Sequence, residues 1–251
     1  MKLLNTSLLI FVILSVAYCA KLLRSLHGKL NAKTNKIFTE VNTTARELRK
    51  SDLISFRQTE AYIQLFNLLD FKAPVPPTRG WAASPDLLLT IAEVIMKKRP
   101  SLVVELGSGV STLVSAKSGA RKVVSLDNSE EFGGKTRELI KAHKARGVDI
   151  RIAPLQPYAN GSEWYDVSTI KDLRKIDVLI IDGPPGHNNP EARYPALKEF
   201  VEKLSKDAVV IIDDVNRQGE RKLAEDFAKA LPSHQLTILD HEKGTAVISP
   251  R

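Results

Sequence analysis

Val103-Val104-Glu105-Leu106-Gly107-Ser108-Gly109, followed twenty positions after Gly107 by Asp127, is the stretch whose reading decides the fold. Apolar residues run straight into a Glu-x-Gly-x-Gly turn. A second apolar run, Val123-Val124-Ser125-Leu126, then ends on Asp127. A parallel sheet builds a nucleotide pocket in this way, with a glycine turn after one strand and a carboxylate for ribose hydroxyls after the next. The glycines permit tight backbone geometry and close approach to a ligand. The turn continues Gly107-Ser108-Gly109-Val110-Ser111-Thr112 and lacks the third glycine of the dinucleotide fingerprint. Glu105, two residues before the first glycine, repels a pyrophosphate and suits an ammonium group.

Outward from this stretch, strands and helices alternate. Ser84-Pro85-Asp86 starts a helix with a cap hydroxyl, a proline at the first position and an acid, and the helix runs to about Lys98. Strands are expected near 101–106, 122–127, 149–153, 176–182 and 207–212, with helices between them, which means a mostly parallel sheet. The end differs. Gln235–Asp240 and Thr245–Ile248 flank His241-Glu242-Lys243-Gly244, a hairpin with no room for a crossover helix. The expected fold is therefore α/β: a Rossmann-like, seven-stranded, mostly parallel sheet with an antiparallel last strand and helices on both faces.

Ligands in such sheets sit beyond the carboxyl ends of the strands. The fourth strand delivers Asp182, in Asp182-Gly183-Pro184-Pro185-Gly186-His187, and the fifth delivers Asp213-Asp214. Three acids at one sheet edge raise each other's pKa unless a cation or a proton compensates. Hard oxygen ligands of this kind suit Mg²⁺ or another divalent cation. The alternative keeps Asp182 as an acid or base, with Asp213-Asp214 as a solvated turn or helix cap. His187 is a general-base candidate, or an exposed histidine in a Pro/Gly loop. Arg193 and Arg217 flank the same edge, as binders of an anionic group or as ion-pair partners.

Taken together, these motifs resemble the class I S-adenosylmethionine-dependent methyltransferases over roughly residues 80–251. Gly107 and Gly109 match the first two glycines of their Asp/Glu-x-Gly-x-Gly-x-Gly motif, and Ser111 stands in place of the third. The resemblance implies S-adenosylmethionine as cofactor, with Ser108 in the turn, Asp127 on the ribose, and Ser111 and Thr112 offering hydroxyls to the methionine end. It further implies Leu155 near the adenine and a segment with Trp81 and Ser84 covering the cofactor. Asp182, Asp213 and Asp214 take the places of the metal ligands of catechol O-methyltransferase and its relatives, with Asp214 where an amide would be. Ile181–Gly186 and Asp213–Arg217 match a group with Ile-Asp-Gly-Pro-Pro-Gly and Asp-Asp-x-x-Arg motifs, whose members often act on small molecules or sugars. The implied reaction is O-methylation of a small-molecule, saccharide or lipid-linked hydroxyl. Two other readings are a nicotinamide-dependent oxidoreductase, against which the missing glycine, Glu105 and the hairpin weigh, and a tethered binding module without turnover.

Leu3 to Ala20 is almost wholly apolar, and Lys21, Arg24, Lys29, Lys33 and Lys36 follow it. Residues 1–23 read as a transmembrane anchor, or as a signal peptide that would leave the protein exported. The trailing basic residues favour a cytoplasmic C-terminal side. Residues 24–72 read as a helical stalk, with Tyr62, Leu65, Phe66 and Leu69 as a packing face, and residues 73–251 as the catalytic domain. Residues 1–72 carry 11 Lys/Arg against 5 Asp/Glu, and residues 73–251 carry 26 against 24. The basic excess beside the apolar segment fits anionic lipid head groups better than nucleic acid. Cys19 is the only cysteine, which excludes an internal disulfide and a cysteine-based zinc site.

Overall fold

The computed structural model describes residues 2–78, 80–159, 161–186 and 189–251, with side chains from Thr6 onward. The chain divides into two units, Met1–Ser55 and Phe56–Arg251. The first consists of the greater part of α1 (Lys2–Leu68). Its apolar window is long enough to cross a bilayer and none of it is buried, a test that a signal sequence also passes.

The second unit begins with the last turns of α1. Ala61, Leu65 and Leu69 recur at four-residue steps and are buried, whereas Phe66 is 49% exposed. Then follow α2 (Pro85–Lys98), β1 (Val103–Leu106), α3 (Val110–Lys117), β2 (Val123–Asp127), α4 (Glu130–Ala142) and β3 (Val148–Ile152). After these come β4 (Leu155–Pro157), β5 (Glu163–Tyr165), β6 (Ile176–Ile181), α5 (Pro195–Phe200), β7 (Leu204–Asp213), α6 (Gln218–Ala230), β8 (His234–Leu239) and β9 (Thr245–Pro250).

Seven strands form one sheet in the order β3-β2-β1-β6-β7-β9-β8. Pairings from β3 through β7 are parallel, and β9 is antiparallel to both β7 and β8. The expected fold class is thus observed. Strand side chains alternate between two cores, as a two-residue period requires. Val103, Val123, Val178, Ile180, Val209 and Ile211 face Leu65, Leu69, Leu87, Ile91 and Val114. Leu106, Leu126, Leu179, Ile181, Val210 and Ile212 face Trp164, Phe200, Leu223 and Phe227.

Two local expectations change. The Ser84 hydroxyl does not cap α2; it donates to Asp86 Oδ1 at 2.6 Å, and Asp86 Oδ1 accepts the Leu87 N–H. The carboxylate outcompetes a neutral hydroxyl as acceptor. Its other oxygen takes Gln58 Nε2 from α1 and the Glu242 N–H from the β8–β9 turn, so one acid ties three segments. The second change is the β4–β5 hairpin, a separate two-stranded sheet. Its strands are three residues long and one contains Pro157, so no two-residue period announces them.

Candidate active site

Because β2, β1, β6 and β7 are parallel, their carboxyl ends share one edge. Leu106 pairs with Leu126 and Ile181, and Ile181 with Ile212, which sets Gly107 beside Asp182 and Asp182 beside Asp213.

The β1–β2 half holds the glycine turn. Gly107 has φ +93°, a conformation that disfavours any side chain, and a Cβ there would stand 3.0 Å from the Asp182 carbonyl oxygen. Around the Cβ position of Gly109 nothing lies within 4 Å. The turn is therefore tight below and open above, as a ligand seat requires. Asp127 Oδ2 accepts the Ser108 N–H at 3.2 Å and the Ser108 hydroxyl at 2.5 Å, and its Oδ1 accepts the Ser129 N–H at 2.9 Å. Each carboxylate oxygen accepts two bonds, and one donor to Oδ1 is seen.

Glu105, Ser111 and Thr112 are brought to this half and are buried there. Glu105 is fully buried, and its Oε2 accepts the hydroxyls of Thr112 and Ser125, the latter at 2.8 Å. Thr112 also accepts the Gly109 N–H at 3.0 Å, and Ser111 is buried against the same carboxylate. Burial, partly offset by these hydroxyls, pushes the Glu105 pKa up to about 7. These three residues brace the turn from beneath. Glu105 Oε1, by contrast, has no hydrogen-bond partner among the described residues.

The β6–β7 half holds the acids. Asp182, Asp213 and Asp214 converge, with one oxygen from each within 4.8 Å of the others. Two of them, Asp182 and Asp214, meet Arg193, which is only 5% exposed. Its Nη2 stands 2.9 Å from Asp214 Oδ2 and 3.2 Å from Asp182 Oδ1, and its Nε 3.8 Å from Glu220 Oε1. Arg217, half exposed, adds a contact of 3.0 Å to Asp214 Oδ2. Burial raises the Asp182 pKa to about 6, with Arg193 opposing and Asp214 adding to the rise. Asp213 makes no side-chain hydrogen bond among the described residues. Burial and the two neighbouring acids hold its pKa well above the ordinary carboxylate range.

A cavity of about 110 Å³ opens over this half, lined by Trp81, Asp182, Gly186, Arg193, Asp214 and Arg217 among others. Trp81 is 75% exposed at its rim and takes no part in the core. A larger cavity of about 550 Å³, beside Ser101, Arg121 and Gly147, lies at the amino ends of the strands, away from every candidate residue. Ser84 is buried on Asp86 and does not line the pocket. Leu155 opens β4 and packs against the apolar core, so it is a core residue first. His187 lies outside the described residues. Sequence reasoning missed Glu220, Lys243 and the burial of Arg193. Only Glu220 had a local signal, lying three residues beyond Arg217 on the first turn of a helix.

Comparison with known proteins agrees with this geometry. Residues 104–215 match a family described as a methyltransferase domain. That window holds the glycine turn, Asp127, all three acids and Arg193. No curated protein matches the chain. Among solved structures, an O-methyltransferase from Bacillus cereus in complex with S-adenosylhomocysteine is 18% identical, over 77% of this chain and 90% of that one, with a TM-score of 0.54. A methyltransferase from Podospora anserina, bound to the same molecule, is 16% identical over 77% and 87%, with a TM-score of 0.53. An O-methyltransferase from Streptomyces achromogenes involved in tomaymycin synthesis, solved with S-adenosylmethionine, is 14% identical over 68% and 82%, also at 0.53. The α/β unit has the methyltransferase fold.

Proposed function

We propose that the protein is an S-adenosylmethionine-dependent O-methyltransferase acting on a hydroxyl of a small molecule, saccharide or lipid-linked acceptor. The observation that carries the reading is the edge itself, where a glycine turn open above and tight below, with Asp127 beside it, adjoins a buried acid facing a cavity. The Gly107–Gly109 backbone, Ser108 and Asp127 would hold the cofactor. When bound, the cofactor supplies an electrophilic methyl group on a sulfonium.

The chain's own contribution is placement and proton removal. Asp182 faces the cavity and, with a pKa near 6, is a base at neutral pH. It would take the acceptor's hydroxyl proton as the oxygen–methyl bond forms and the sulfur–methyl bond breaks. Trp81 at the rim offers a flat apolar face to an acceptor ring. The sulfonium is already reactive, so alignment is the larger contribution. Arg193 on Asp182 and Asp214, with Arg217 also on Asp214, argues against carrying the divalent metal of the sequence reading into this mechanism.

The apolar part of α1 with its trailing basic residues supports a single-pass membrane anchor with Phe56–Arg251 on the cytoplasmic side. A lipid-linked or membrane-proximal acceptor suits that placement. The test is calorimetric titration of S-adenosylmethionine into the full chain in detergent, beside Asp127→Ala. Binding by the wild type that falls at least about tenfold in the variant is expected, the loss of one good charged hydrogen bond. A folded wild-type protein that does not bind overturns the proposal.

A further inference from the structure

We infer that Arg193 is the resident cation of the acid cluster, standing where the related fold would place a divalent metal, so that the site is metal-independent. The donor set decides this. A Mg²⁺ site needs several oxygens free to close to about 2.0–2.1 Å around one point. Here one oxygen of Asp182 and one of Asp214 are turned onto the same guanidinium nitrogen, at 3.2 and 2.9 Å. The guanidinium is not a loose surface group that an ion would push aside. Nε donates to the Pro184 carbonyl at 3.2 Å, Nη1 to the Asp213 carbonyl at 3.3 Å and Nη2 to the Asp182 carbonyl at 3.3 Å. It is thus stitched into the backbone at the ends of both strands that carry the acids. Displacing it would break three contacts with backbone carbonyls in a buried place, a cost of up to three hydrogen bonds.

Charge points the same way. Asp182, Asp213, Asp214 and Glu220 already have Arg193, Arg217 and Lys243 beside them, so cations of the chain itself meet most of the cluster's charge. Asp213, whose oxygens are unpartnered among the described residues, has as neighbours two acids that each already turn an oxygen onto the guanidinium. The fork geometry of arginine matters as well as its charge, because its donors reach carbonyls and carboxylates at once. Arg193 is therefore a positioning residue. It orients Asp182 towards the cavity and fixes β6 against β7. The inference rests on the methyltransferase reading only for what the site does, since the cation arrangement is measured without turnover.

The test is Mn²⁺ titration of the full chain in detergent, followed by the electron paramagnetic resonance signal of the free ion, with thermal midpoints measured in parallel. Mn²⁺ is chosen because it shares the hard-oxygen preference of Mg²⁺. Wild-type protein is expected to leave the free-ion signal unchanged at millimolar Mn²⁺ and to keep its midpoint in a chelator. Arg193→Met is expected to gain a one-to-one Mn²⁺ site, and Mn²⁺ to raise the midpoint of that variant alone. Arg193→Lys keeps a cation and is expected to gain none. Wild-type Mn²⁺ binding that disappears in Asp213→Ala overturns the inference, as does a folded Arg193→Met that binds no ion. Wild-type binding that persists in Asp213→Ala lies elsewhere and leaves it standing. If Arg193→Met does not fold, the wild-type titration with its Asp213→Ala control still decides. Failure to bind S-adenosylmethionine would sink the methyltransferase reading and leave this result untouched.

Discussion

The two halves of the strand-end edge handle buried carboxylates in opposite ways. At β1 and β2, Glu105 and Asp127 are met by hydroxyls and backbone N–H groups of Thr112, Ser125, Ser108 and Ser129. At β6 and β7, Asp182 and Asp214 are met by guanidinium groups. Neutral donors fix a carboxylate's orientation without cancelling its charge. The price is a raised pKa where the group is fully buried, as at Glu105. Cationic donors cancel the charge and claim the position at which another cation would sit. One half thus holds its carboxylates with neutral donors, and the other holds two of its acids with cations.

The largest expected effect breaks the charged half. Arg193→Met removes the partner of two acids that are themselves nearly buried, and the cost of leaving buried charges unpaired is about 3–5 kcal/mol. Urea denaturation checks it, and a loss below about 1 kcal/mol would mean that the guanidinium behaves like a surface ion pair. Next comes the neutral half. Glu105 has an ordinary pKa of 4.5 and is held at about 7 in the fold, so the folded state binds its proton more tightly. Its contribution is complete below pH 4.5 and is lost as pH rises through 7. Across that window wild-type stability should fall by on the order of 3 kcal/mol through this group. Asp182 and Asp213 add slopes of the same sign, so the reading is the difference between wild type and Glu105→Gln, whose pH profile should be flatter. Parallel profiles would show that Glu105 is ionised in the fold. The smallest effect is Ser125→Ala, which removes one of several donors to Glu105 and should cost about 1 kcal/mol. A cost as large as that of Arg193→Met would erase the contrast between the halves.

The backbone plan was legible because its signals are local. Apolar runs such as Val178–Ile181 and Val209–Ile212 carry their own strand period, and the glycine turn carries its own conformation. The hairpin over residues 234–250 excluded a crossover by length alone. Convergence of Asp182, Asp213 and Asp214 was also legible, since strand order and parallel direction bring strand ends together whatever the loops do. What each acid faces was not. Arg193 arrives from a loop eleven residues beyond Asp182, with no period or motif to mark its burial. The β4–β5 hairpin was too short to declare itself, and Ser84 lost its cap role to a carboxylate two residues away.

By itself, then, the sequence determined the α/β sheet, its antiparallel last strand, the glycine turn with Asp127, and the meeting of three acids at one edge. Those features follow from side-chain period, backbone freedom and connection length, which act over a few residues. Only the tertiary structure decided that Glu105, Ser111 and Thr112 support the turn from below, that Trp81 stands at a rim, and that a buried arginine joins the acids. Burial and ion pairing depend on which distant segments pack together, and no short stretch of chain encodes that alone.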